Sequence, residues 1–162
     1  MTRPFRLAAL ALASALVLAA CGGSSSSSTT KTTTATSSPR PTSVVGTTKT
    51  SLGTFLVDAK GRALYLWDAD HGTKSTCSGA CAQAWPPLTT AGTPKASGAA
   101  KASLLGTTTR PDGSREVTYA GHPLYYYEGD TMPGQTTGQG SDGFGSPWWV
   151  VSPAGKAIQA QA

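Results

Sequence analysis

Apolar and polar positions divide the chain into three zones. Leu7 to Ala20 is a nearly unbroken apolar run, and Ser24 to Ser38 holds thirteen Ser or Thr in fifteen positions. From about Thr47 onward, short apolar segments alternate with glycine- and proline-bearing turns. This third zone follows the two-residue period of strands rather than the longer period of helices. Leu52 to Val57 ends in Asp58-Ala59-Lys60-Gly61, and Ala63 to Trp67 returns. Leu105 to Thr109 runs into Pro111-Asp112-Gly113-Ser114, and Arg115 to Ala120 alternates polar with apolar. Gly121-His122-Pro123 turns the chain again, and Leu124 to Tyr127 follows as a strand. Trp148 to Val151 is the last apolar strand, closed by Pro153-Ala154-Gly155. Each break carries residues that turns favour. Only Ser78 to Trp85 leaves room for a turn or two of helix.

The strand pattern occurs twice. Leu64-Tyr65-Leu66-Trp67-Asp68-Ala69-Asp70 is echoed sixty residues later by Leu124-Tyr125-Tyr126-Tyr127-Glu128-Gly129-Asp130. Trp85 follows the first motif and Trp148 the second, so the domain reads as two copies of one unit, about 51–88 and about 104–156. Thr89 to Ser103 reads as a mobile linker between them. Two hairpin-rich units that each bury one face against the other predict an all-β domain over 47–158, a small sandwich or barrel. Some 110 residues suffice for one modest core.

The first two zones change the picture from a free domain to an anchored one. Arg3 and Arg6 precede the apolar run, which ends in Leu18-Ala19-Ala20-Cys21-Gly22. This resembles a bacterial lipoprotein signal over 1–20, which implies that Cys21 becomes a diacylated N-terminus holding the protein to the membrane. The alternative is a plain secretory signal. Residues 21–46 then form a disordered Ser/Thr/Pro tether with nothing to bury, which would hold the domain roughly 25–30 Å from the membrane. Its composition permits O-glycosylation, while the chain contains no Asn and so no N-glycosylation acceptor. Loss of Arg3 and Arg6 lowers the formal charge from +5 to +3 with no cluster of cations, which excludes a nucleic-acid footprint.

On a strand, Tyr65 and Trp67 face one way and Leu64, Leu66 and Asp68 the other; Tyr125 and Tyr127 likewise oppose Leu124, Tyr126 and Glu128. Two readings follow. The rings fill two linked half-cores while Asp70 and Asp130 accept backbone N–H groups from the loops that follow them. Alternatively, Tyr65, Trp67, Asp70, Tyr125, Tyr127 and Asp130 form a platform for a sugar or peptide.

These motifs, with Cys77-Ser78-Gly79-Ala80-Cys81 leading to Ala84-Trp85-Pro86-Pro87-Leu88, and with Val117-Thr118-Tyr119-Ala120-Gly121-His122-Pro123-Leu124, resemble one family. It is the bacterial secreted or lipoprotein repeat with a Tyr-x-(Phe/Trp/Tyr)-x-x-Asp motif. The resemblance covers Leu52 to Gly155. It implies an extracytoplasmic location and a repeated fold, and brings no assigned activity.

With Cys21 given to lipid, Cys77 and Cys81 remain as a pair in an oxidising compartment. Residues four apart on a helical turn lie about 6 Å apart, so a disulfide closing the loop after the first motif is expected. The pair lacks the C-x-x-C spacing of redox-active thiols and the C-x-x-C-H of haem attachment. His71, His122 and Met132, with a reduced cysteine, are weak candidates for a soft copper-type site, although no two sit at ligand spacing. Gly129 to Gly145 holds six glycines, with Asp130 and Asp142 too far apart for a calcium loop, and reads as a long mobile surface loop. No G-x-S-x-G elbow occurs, and Asp68 and Asp70 have nothing to separate their roles. The sequence therefore predicts a non-enzymatic, lipid-anchored envelope module without cofactor, meeting an envelope ligand or protein partner. An extracytoplasmic redox or metal-handling accessory is the alternative.

Overall fold

A computed structural model describes residues 42–160. The signal segment, Cys21 and most of the tether lie outside the described residues. Eight strands appear in order, β1 (Val44–Thr50), β2 (Gly53–Asp58), β3 (Tyr65–Trp67), β4 (Lys95–Ala96), β5 (Leu105–Thr109), β6 (Arg115–Tyr119), β7 (His122–Pro123) and β8 (Trp148–Val150). One short helix, α1 (Ala80–Ala84), lies in the segment expected to hold a helical turn. The domain is all-β. Its described strands form three small sheets, β2-β1-β4, β3-β8 and β5-β6-β7, and do not close a barrel.

Local chemistry sets the turns. Asp58 ends β2, and its Oδ1 accepts from Lys60 N at 2.8 Å and Arg62 N at 3.0 Å, closing the turn with Gly61 at φ 81°. Asp112 Oδ1 accepts from Ser114 N at 2.9 Å in the β5–β6 turn. Between β6 and β7 the chain reverses earlier than the sequence implied. Ala120 and Gly121 take left-handed φ values of 51° and 87°, the pattern of a two-residue hairpin turn, and Tyr119 pairs with His122. Extended pairing thus begins at His122, and the expected strand over Leu124 to Tyr127 makes only isolated bridges at Tyr125.

Two other segments differ from expectation. β1 begins at Val44, inside the stretch assigned to the tether, because Val45 is fully buried. The segment between the repeats is used rather than left free. Lys95–Ala96 pair in parallel with Val44–Val45, and Ser43 is gripped by Thr89 O at 2.7 Å and Thr90 Oγ1 at 3.2 Å. β1 leaves its outer backbone groups unpaired at that end, and the linker supplies partners for them.

The repeats exchange their ends. Leu56 N donates to Val151 O, Val151 N to Leu64 O, and Leu64 N to Leu56 O. The same closed cycle joins Val117, Leu88 and Leu124: Val117 N to Leu88 O, Leu88 N to Leu124 O, Leu124 N to Val117 O. Val151, from the end of the second repeat, therefore completes the first, and Leu88 from the first completes the second. β3 pairs with β8, Tyr65 with Val150 and Trp67 with Trp148, while Tyr125 bridges Pro87 in the mirror arrangement. Side-chain alternation then makes two cores. Tyr65, Trp67, Trp85, Tyr125 and Trp148 enter an aromatic cluster joined by half-buried Tyr127. Leu64, Leu66, Leu88, Leu124 and Val151 enter an aliphatic one.

Candidate functional site

The two motifs meet at their tyrosines. Tyr65 N donates to Tyr125 O at 2.8 Å and Tyr125 N to Tyr65 O at 2.9 Å, an antiparallel pair across a local two-fold axis. The side chains cross over. Tyr65 Oη donates to Asp130 Oδ2 at 2.6 Å, and Tyr125 Oη donates to Asp70 Oδ2 at 2.5 Å. Each aspartate's other oxygen holds its own loop: Asp70 Oδ1 accepts from Thr76 N and Oγ1 at 2.7 and 2.8 Å, and Asp130 Oδ1 from Thr137 N and Oγ1 at 2.8 and 2.7 Å. All four motif residues are buried. Burial pushes both phenols above the ordinary tyrosine range. The hydrogen-bonded carboxylates of Asp130 and Asp70 add to that shift, as does the charge of Glu116 near Tyr125.

The remaining motif rings stack. Trp67 lies parallel to Trp148 with centroids 5.0 Å apart, Trp148 parallel to Trp85 at 4.0 Å, and Trp85 against Tyr127 at 4.4 Å. Tyr65 meets Trp85 edge-on at 5.3 Å and Tyr125 meets Trp148 edge-on at 5.1 Å. Apart from Tyr127, which is tilted 33° to Trp85, these are the stacked and T-shaped geometries that aromatic pairs adopt. The structure thus brings Tyr65, Trp67, Asp70, Tyr125, Tyr127 and Asp130 into one cluster, together with the two tryptophans.

One side of this cluster is charged. Arg110 Nη1 donates to Glu116 Oε2 at 2.7 Å and to Ser75 Oγ at 2.6 Å, and Nη2 donates to Cys77 O at 2.6 Å. Ser75 Oγ also bonds Tyr125 Oη at 2.6 Å. Glu116 is fully buried and its Oε1 has no partner, as is true of Arg110 Nε. Burial pushes the Glu116 carboxyl up to about 7, although Arg110 opposes the shift. Sequence reasoning missed this network, since Arg110 and Glu116 read as ordinary residues flanking a turn. It also passed over Thr76 and Thr137, which the similar spacing behind each motif aspartate would have revealed.

Cys77 and Cys81 form a disulfide with Cα atoms 5.3 Å apart, so a reduced thiol from this pair is not on hand for a copper-type site. His71 is exposed, His122 lies in β7, and Met132 is 59% exposed. Among the described residues no group of three or more His, Cys, Asp or Glu is placed to hold a metal. The glycine-rich segment is tied down rather than free: Gly140 N donates to Trp148 O, Trp148 Nε1 to Gly143 O, and Gln139 Oε1 accepts from Val150 N. A Cβ on Gly138 would sit 2.6 Å from Trp85 Cη2, so a side chain there would push the loop off the stack.

An open cleft of about 340 Å³ lies where the repeats adjoin, lined by Arg62 and Ala63 on one wall and by Tyr126, Tyr127, Glu128, Asp130 and Thr131 on the other. Its first wall is rigid. Arg62 Nε and Nη2 each reach Asp58 Oδ2 at 2.9 Å, and the guanidinium carbon lies 3.8 Å over the Tyr126 ring. Burial alone would raise Asp58, but bonds from Arg62 and Lys60 hold it below the usual carboxylate range. Glu128 and Thr131 are exposed.

The architecture is that of a repeated β module with interlocked halves. A family described as a secreted repeat of unknown function matches residues 46–89 and 106–152, and the chain belongs to that family. No curated protein and no solved structure matches it significantly. As a secreted repeat, the domain belongs outside the cytoplasm.

Proposed function

We propose that this protein is a lipid-anchored extracytoplasmic lipoprotein whose β domain is a non-enzymatic binding module for an envelope ligand, seated in the cleft between Arg62 and Thr131. One observation carries the reading. The motif's phenols and carboxylates are occupied with one another inside the core, whereas the cleft presents an exposed carboxylate, a braced guanidinium and two tyrosines at the surface. Both repeats contribute walls, so the pocket exists only in the assembled pair. Its preformed wall lowers the entropy lost on binding. Protein freed of its lipid anchor by Cys21→Ser, incubated with isolated cell-envelope material, tests the reading. Glu128→Ala should weaken retention about tenfold, the effect of losing roughly 1.4 kcal/mol, while Lys49→Ala on β1 should leave it unchanged. Equal retention of all three would remove the cleft from consideration. Anchoring has its own test: Cys21→Ser should release the protein into the medium, and continued membrane retention would refute lipidation.

A further inference from the structure

We propose that the aromatic core is a one-electron relay, in which an oxidising equivalent taken up at either end of the ring column comes to rest on Tyr65 or Tyr125. The inference is separate from the binding role and rests on three features of the cluster.

The first is continuity. Trp67, Trp148, Trp85 and Tyr127 follow one another with centroids 5.0, 4.0 and 4.4 Å apart and no aliphatic spacer. The three indoles are stacked nearly parallel, with interplanar angles of 7° and 3°. Indole and phenol are among the side chains most easily oxidised by one electron, and rings in contact exchange an electron readily. The second is access. Trp85 and Trp148 are sealed inside at 1% and 0% exposure, while Trp67 at 8% and half-buried Tyr127 stand at the ends. The core's cysteines are already joined to each other, so no thiol within the cluster competes for the charge.

The third feature is a place for the proton. A phenol that gives up an electron becomes strongly acidic and must also give up its proton. Here the buried phenols are held protonated at rest, and each has one carboxylate oxygen in hydrogen-bond contact. Thr76 and Thr137 occupy the other oxygen of each aspartate, which leaves Oδ2 aimed at the phenol. Besides tying the halves together, the two crossed tyrosine–aspartate pairs at the edges of the stack supply what proton-coupled oxidation needs.

The step balances as follows. A one-electron oxidant of the metal-centred or organic-radical class takes one electron from Trp67 or Tyr127 and is reduced. An electron passes outward along the column to fill the vacancy. Tyr65–OH with Asp130–COO⁻, or Tyr125–OH with Asp70–COO⁻, loses that electron and becomes a neutral tyrosyl radical beside a carboxylic acid. One electron from an external donor of the thiol or quinol class restores the phenol, and the proton returns from the aspartate.

Full-length protein, mixed with a ruthenium(III) polypyridyl oxidant generated by flash and quench, tests the relay, with the radical identified by electron paramagnetic resonance on protein carrying ring-deuterated tyrosine. The expected product is a neutral tyrosyl radical whose formation slows several-fold in deuterated solvent. With Tyr127→Phe as the common background, so that no other phenol remains in the column, its yield should fall several-fold on adding Tyr65→Phe and Tyr125→Phe together, where an indole radical persists instead. In the same background each single variant should keep a tyrosyl signal with the hyperfine pattern of the remaining partner alone, different between the two variants, which keeps the test decisive if the double variant unfolds. A radical confined to the half-buried indole of Trp149, which packs against the aliphatic core and lies outside the column, an unchanged spectrum in the single and double variants, or formation indifferent to deuteration would overturn the proposal.

Discussion

After Asp70 the chain runs through Thr76, Cys77 and α1 to Trp85. After Asp130 it runs through Thr137, Gly138 and a tight turn at Gly143–Gly145 to Trp148. Both loops start from an aspartate–threonine clasp and both deliver a tryptophan to the same stack. Between those fixed points they share little. The first loop is stapled by Cys77–Cys81 and gripped by Arg110; the second has no disulfide and brings Gly138 and Gly143 close to Trp85. Counted back from the tryptophans, Phe144 takes the place of Cys81. It stands 51% exposed at φ 67°, a left-handed conformation unusual for a bulky residue. The difference teaches that the repeat specifies the endpoints of each loop, where Asp and Trp must meet the other half, and tolerates different means between them.

The hardest test of that equivalence removes an endpoint. Trp85→Ala and Trp148→Ala should each cost about 3–5 kcal/mol, measured by denaturant unfolding, because both rings are fully enclosed at the centre of the column. Costs differing by more than the whole of that range would break the two-fold equivalence. Next come the clasps. Tyr125→Phe and Tyr65→Phe each remove a bond to a buried carboxylate worth about 1.5–3 kcal/mol, with Tyr125→Phe the costlier because it also strips Ser75 of a partner. The disulfide is confined to one loop: the double variant Cys77→Ser/Cys81→Ser should cost about 2 kcal/mol on the loop-closure account, and should speed amide exchange around α1 while leaving the 131–148 loop as it was.

The last test concerns charge. In β2, Phe55 stands just before Leu56 where Glu116 stands just before Val117 in β6, so only one half carries a carboxyl at this position. Glu116 is raised to about 7 in the fold, above the value it regains on unfolding, so the folded state retains a proton that the unfolded chain has lost. Its contribution is complete below the unfolded value and fades as pH rises through the folded one. The thermal midpoint should therefore drop between about pH 5 and about pH 8, and Glu116→Gln should flatten the profile. A midpoint rising across that window in the unmodified protein would contradict the assignment.

Much of the fold was legible before the structure. The turn residues Asp58, Gly61, Asp112 and Gly113 act locally, and they fall where the pattern placed them. The alternation in each motif sorted rings from leucines correctly, because side chains on an extended backbone have no choice of face. The segments misread as mobile, Thr89 to Ser103 and Gly129 to Gly145, have loop composition but find their partners far away in sequence. Ser43 and Val45 hold the first, and Trp85 and Trp148 hold the second. The cleft was illegible for the same reason, since Arg62 and Glu128 come from different repeats.

Sequence alone determined that there are two units, that each offers an aromatic and an aliphatic face, and that Cys77 and Cys81 lie within bonding reach. Those are properties of spacing, and spacing along a chain is written in its residues. Tertiary structure decided that the units trade their closing segments, that each tyrosine donates to the other unit's aspartate, and that four rings line up into one column. Either unit could in principle have satisfied its own aspartate. Crossing over lets one antiparallel tyrosine pair close both halves at once, and that gain exists only once both halves are present.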